Sequence, residues 1–117
     1  MLLVDDEPLI VDTLTEILEG AGFIVLPAYD GWTALEKVAH YRPDYLLSDV
    51  LTPKMNGVEL AMAIRKMYSS TQIMLFSGQA GISDLLLDGQ RLGFEFELIA
   101  KPLHPLKVIE HLWGELG

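Results

Sequence analysis

Four short polar clusters in this chain carry residues able to do chemistry. They are Asp5-Asp6-Glu7, Asp49, Ser77-Gly78 and Lys101-Pro102, and each follows a run of apolar residues. If the first and third of those runs lie side by side, the carboxylates of Asp5, Asp6 and Asp49 meet. Two unit negative charges ~4 Å apart repel by about 4 kcal/mol at an effective dielectric of ~20. Such a cluster therefore calls for a cation or for a raised pKa. Oxygen ligands without histidine or cysteine select a hard ion. Mg²⁺ characteristically takes one or two carboxylates, keeps several waters and binds a substrate phosphate. The ammonium of Lys101 is a point charge suited to a phosphoryl oxygen, and the Ser77 hydroxyl can donate to another. A carboxylate can itself be the nucleophile, forming an aspartyl-phosphate. Cation, ammonium and hydroxyl then stabilise the charge spread over the transferring group. Each cluster alone has a plainer reading, as a helix N-terminus, a loop or a turn; all four in this order read as one phosphoryl-transfer site.

The elements that must position these groups are legible as five apolar runs alternating with helical patterns. Residues 2–4 precede a helix over 8–19, with Ile10, Leu14, Ile17 and Leu18 on one face and Gly20 and Gly22 as the stop. Residues 23–26 form the second run, followed by a helix over 31–40 for which Asp30 is the N-cap. Pro43 breaks the chain, and residues 45–47 lead into Ser48-Asp49. The loop 50–56 contains Pro53, closes at Gly57 and opens a helix to about Tyr68, with Val58, Ala61, Ile64 and Arg65 at helical period. Residues 73–76 and 96–100 are the last two runs, separated by a helix over 82–92, and Pro105 opens a final helix through Leu116.

Strands alternating with helices imply βαβ crossovers and a parallel sheet. The near-continuous apolar runs suit strands covered on both faces. Residues 1–117 are thus expected to form one α/β domain, a three-layer doubly wound fold around a five-stranded parallel sheet. In such sheets the ligand site lies outside the carboxyl ends of the strands, where their order reverses. The polar clusters sit at those ends.

Composition narrows the function. Half of the 117 residues are apolar, so a packed core is expected. The absence of cysteine excludes disulfides, thiolate metal sites and a cysteine nucleophile. Seventeen acidic residues against eight basic ones give a net charge of −9, and the densest basic stretch is Arg65-Lys66. Direct nucleic-acid binding needs basic clusters to neutralise phosphates, so none is expected. No apolar run approaches the ~18 residues of a membrane span, and a cytoplasmic location is the expectation.

The chain resembles the receiver domain of two-component response regulators over its whole length. The resemblance rests on Leu3-Val4-Asp5-Asp6-Glu7, Ser48-Asp49 with Pro53 and Gly57, Ser77-Gly78, and Lys101-Pro102. It implies a flavodoxin-like sheet in the order 2-1-3-4-5. It also implies that Asp49 is the phospho-acceptor and that Asp5, Asp6, Asp49 and the Leu51 backbone carbonyl hold Mg²⁺. Ser77, Gly78 and Lys101 would contact the phosphoryl group, with the Lys101–Pro102 peptide cis. The donor would be a sensor histidine kinase or a phosphotransfer protein, and the output a downstream protein or an attached effector domain. Catalysis would be limited to self-catalysed phosphotransfer and slow autodephosphorylation, with Leu51 and Gln79 tuning access of the hydrolytic water. One departure concerns the output: Leu98 stands where the family usually has a tyrosine or phenylalanine switch. Phosphorylation-dependent change is therefore expected over residues 78–92, with Leu98 nearly still.

Three rivals are weaker. A flavodoxin-like nucleotide binder would want hydroxyls or glycines after the first strand, where this chain has Asp5-Asp6-Glu7-Pro8. A haloacid-dehalogenase-type phosphatase would carry its nucleophile in a D-x-D pattern, whereas Asp5 and Asp6 are adjacent. A receiver-like interaction module that takes no phosphate typically loses an acid or the lysine, and all are retained here.

Overall fold

A computed structural model describes residues 1–50, 55–77, 97–100 and 108–110. Leu51, Pro53, Gly78, Gln79, Lys101, Pro102, the helix expected over 82–92 and most of that expected over 105–116 lie outside the described residues; Ser77 and Leu98 are described by backbone alone. The chain runs β1 (Leu2–Val4), α1 (Pro8–Gly20), β2 (Leu26–Ala28), α2 (Gly31–Val38), β3 (Tyr45–Asp49), α3 (Gly57–Met67), β4 (Gln72–Ser77) and β5 (Glu97–Ala100). All strand pairs are parallel, in the order β2-β1-β3-β4-β5. β1 thus lies between β2 and β3, and the order reverses between β1 and β3.

Alternate residues along the strands feed two cores, one on each face of the sheet. Leu2, Val4, Leu46, Ile73 and Leu75 pack with Ala34 and Val38 of α2 and Val58, Leu60, Ala61 and Ile64 of α3. Leu3, Leu47, Met74 and Phe76 pack with Val11, Leu14 and Leu18 of α1 and with Val108 and Ile109 of a helical segment at 108–110. This two-sided burial is the physical reason the strands read as continuous apolar runs.

Helix boundaries follow local chemistry. Pro8 occupies the first turn of α1, where its missing N–H removes a donor that had no intrahelical partner. At the other end Gly22 takes φ 99°, and Phe23 returns its N–H to the Leu18 carbonyl at 3.1 Å. Asp30 caps α2 as expected, accepting from the Thr33 N–H at 2.7 Å and the Thr33 hydroxyl at 3.0 Å. Asn56 and Glu59 form a reciprocal capping box at the start of α3.

Three details differ from expectation. The buried stripe of α1 is Val11, Leu14 and Leu18, whereas Ile17 is 37% exposed. α2 stops at Val38, with Ala39 and His40 in a turn. The second strand is Leu26–Ala28 instead of 23–26, with Pro27 at its centre. Leu26 donates to the Met1 carbonyl (2.8 Å) and Ala28 accepts from the Asp5 N–H (3.2 Å), so Pro27 between them turns its nitrogen and carbonyl away from β1. An outward position on an edge strand is where a residue without an N–H is tolerated. The Lys37 ammonium donates to the outward Pro27 carbonyl.

Candidate phosphoryl-acceptor site

β1 and β3 are hydrogen-bonded neighbours, with Val4 paired to Ser48. Asp5 is therefore the first residue past one strand and Asp49 the last of the other. One carboxylate oxygen from each of Asp5, Asp6 and Asp49 lies within 4.8 Å of the others. Asp5 is fully buried, Asp49 is 7% exposed and Asp6 is exposed. Two buried carboxylates at that separation repel by roughly 3–4 kcal/mol at an effective dielectric of ~20. The Asp5 carboxylate accepts the Glu7 N–H at 3.0 Å, which orients it at the start of α1. Among the described residues, the cluster has its exposed member at Asp6 and two buried members at Asp5 and Asp49, and offers oxygen donors alone. That donor set suits a hard divalent cation.

The backbone beneath Asp49 is tightly held. The Val50 N–H donates to the Phe76 carbonyl at 3.0 Å, extending the ladder between β3 and β4 past Asp49. On the other side of that peptide the buried Ser48 hydroxyl donates to the Asp49 carbonyl at 2.9 Å. Gly57 donates its N–H to the Val50 carbonyl at 2.7 Å. A β-carbon on Gly57 would lie 2.2 Å from the Asp49 carbonyl oxygen.

Of the residues singled out in the sequence, the described portion of the molecule brings together Asp5, Asp6 and Asp49. Ser77 ends β4, and its backbone pairs with Ala100 of β5, the residue before Lys101. The contacts of the Ser48 hydroxyl and of Gly57 are not legible in the sequence, because both depend on approach through space. The capping box was readable as Asn56-x-x-Glu59 ahead of an apolar stretch.

A doubly wound sheet with an acidic cluster at its switch point defines a class, and comparison with known proteins agrees. A family model described as the response regulator receiver domain matches residues 1–112. The chain is 31% identical over 116 residues to the DNA-binding response regulator MtrA of Mycolicibacterium smegmatis, covering 99% of this chain and 50% of that protein. It is 34% identical over 108 residues to the alkaline phosphatase synthesis transcriptional regulatory protein PhoP of Bacillus subtilis, covering 92% and 44% respectively. Among solved structures it is similar to the chemotaxis protein CheY4 of Vibrio cholerae, at 29% identity and a TM-score of 0.84 over 97% of this chain and 94% of that one. A CheY-like receiver domain protein of Methanospirillum hungatei superposes with a TM-score of 0.87 at 26% identity, over 98% of this chain and 90% of that one. The chain belongs to the response regulator receiver domain family, and its part is that of the receiver in two-component signalling. It spans about half the length of the curated relatives it matches. Among the described residues no helix is long and apolar enough to cross a membrane.

Proposed function

We propose that Asp49 accepts a phosphoryl group from a histidine kinase or phosphotransfer protein, and that the phosphorylated form signals to a downstream protein or an attached effector domain. The observation that carries this reading is the convergence of the Asp5, Asp6 and Asp49 carboxylates within 4.8 Å at the ends of β1 and β3. Their oxygens, with the Leu51 backbone carbonyl, would hold Mg²⁺. When bound, that ion supplies charge neutralisation for the cluster and for the incoming phosphoryl oxygens.

The Asp49 carboxylate attacks the phosphorus of a phosphohistidine, the P–N bond breaks, and the departing imidazole takes a proton from solvent. Ser77 and the Gly78 backbone would donate to the phosphoryl oxygens and Lys101 would balance their charge. Attack of water on the aspartyl-phosphate later releases inorganic phosphate and restores the carboxylate. Leu51, being apolar, offers that water no hydrogen bond, which favours a long-lived phosphorylated form. With Leu98 in place of an aromatic switch, the output is expected to run through residues 78–92. A cytoplasmic location accords with this role.

Intact-mass measurement after incubation with acetyl phosphate and Mg²⁺ tests the assignment. One phosphoryl group should appear on the parent and none on Asp49→Asn. Undiminished phosphorylation of that variant would remove Asp49 as the acceptor.

A further inference from the structure

The least conspicuous contacts around Asp49 are those to its main chain. The Asp49–Val50 peptide is held on both sides: its N–H by the Phe76 carbonyl (3.0 Å) and its C=O by the Ser48 hydroxyl (2.9 Å). Gly57 closes over the same oxygen. A β-carbon there would stand 2.2 Å from the Asp49 oxygen, 3.0 Å from its carbonyl carbon and 3.0 Å from the Val50 Cα. These are backbone atoms, so no side-chain rotation relieves the clash. The Gly57 N–H is at the same time bonded to the Val50 carbonyl at 2.7 Å.

We propose that Ser48 and Gly57 are positioning residues for the Asp49 carboxylate: together they fix the plane of the peptide from which the acceptor side chain hangs. The proposal rests on the reading of Asp49 as the phosphoryl acceptor. Phosphoryl transfer asks little covalent work of a protein and depends chiefly on placement of the reacting atoms. Ser48 is fully buried, and a buried hydroxyl needs a partner. The partner it takes is the next residue's carbonyl, so the bond joins no distant parts of the fold. Its effect is confined to the orientation of Asp49. Gly57 acts from the other side, across the whole loop between β3 and α3, so the first residue of α3 is registered directly against the acceptor's main chain.

The test measures phosphorylation of the parent, Ser48→Ala and Gly57→Ala at saturating Mg²⁺, as a function of acetyl phosphate, well below each protein's unfolding midpoint. Ser48→Ala removes one oxygen and leaves the packing nearly intact, so it stands even if Gly57→Ala does not fold. The maximal rate should fall about five-fold in Ser48→Ala, the worth of one ordinary hydrogen bond. It should fall by ~10²-fold in Gly57→Ala, where backbone displacement approaches the scale at which misplacement is costly. The half-saturating acetyl phosphate concentration should stay the same. In metal-free, unphosphorylated Ser48→Ala the ¹³C resonance of the Asp49 carbonyl should move, which needs no turnover to observe. A merely structural role would lower the unfolding midpoint and leave the maximal rate alone. An unchanged maximal rate, or an unmoved Asp49 carbonyl resonance, in Ser48→Ala overturns the positioning role, as does a loss seen in half-saturation instead of rate. A parent that takes no phosphoryl group overturns the acceptor reading and this role with it, so the two failures are told apart by the parent alone.

Discussion

Gly31 and Met55 compete for one volume: a β-carbon on Gly31 would lie 2.7 Å from the Met55 Cβ and 2.8 Å from the Met55 carbonyl oxygen. The first residue of α2 therefore abuts the segment that leads into α3. Gly31→Ala must push that segment or the helix aside, and overpacking of this kind typically costs about 1–3 kcal/mol. The urea midpoint should fall with the slope of the transition unchanged. A midpoint equal to the parent's would mean that Met55 yields freely.

The Asn56–Glu59 box ties down the start of α3. The Asn56 side chain accepts the Glu59 N–H at 2.9 Å, and the Glu59 carboxylate accepts the Asn56 N–H at 3.3 Å. Asn56→Ala should destabilise the protein by ~1 kcal/mol. Glu59→Gln retains an acceptor at the same place and should cost less. Denaturation of both variants checks the order, and equal losses would contradict it.

Tyr29 donates its hydroxyl to Asp12 at 2.9 Å, joining the loop after β2 to α1. That hydrogen bond first, then desolvation and the Asp12 charge, raises the Tyr29 pKa above its ordinary value of 10.0. A raised pKa means that the neutral phenol is favoured by folding. The contribution is complete below the ordinary tyrosine range and is lost as pH climbs through the raised value. Burial and then the Asp44 charge also raise the Tyr41 pKa, so ultraviolet titration should show a late tyrosine component that shrinks in Tyr29→Phe and shifts in part to lower pH in Asp12→Asn. A titration unaltered by Asp12→Asn would disconnect the pair.

Removing one acid should weaken Mg²⁺ binding. Asp6 is the exposed member of the cluster, so Asp6→Ala leaves no buried gap and isolates the electrostatic loss. Affinity should drop by roughly ten-fold or more, as losses at metal sites commonly do. Trp fluorescence or NMR shifts can follow the titration. Parent-like affinity in Asp6→Ala would strike Asp6 from the ligand set.

Elements whose signals are local were legible in the sequence, and contacts across space were not. Asp30 was recognisable as a cap because an aspartate just ahead of a helical pattern has one obvious use. The parallel sheet followed from the alternation of apolar runs with helices, and Asp5 and Asp49 from their places just past two of those runs. On α1, Ile17 borders the apolar face, and apolarity alone does not say which edge of a stripe is covered; Val11 takes the buried place. Residues 23–26 look more like a strand than Leu-Pro-Ala does. Proline is penalised in a strand only when its nitrogen must donate, and that depends on which neighbour lies on that side. Ser48, Gly57 and Gly31 share a cause of illegibility, since each is constrained by an atom brought near by folding.

Pro27 also bears on how copies of this protein can meet. A bare strand at a sheet margin invites another chain to continue the ladder, which is how ordered aggregates start. Midway along β2 such a visitor finds a nitrogen without a proton and an oxygen already engaged by Lys37. Replacing Pro27 restores a donor, and replacing Lys37 releases the acceptor. The two residues together leave β2 with neither its central outward donor nor its central outward acceptor for a visiting strand.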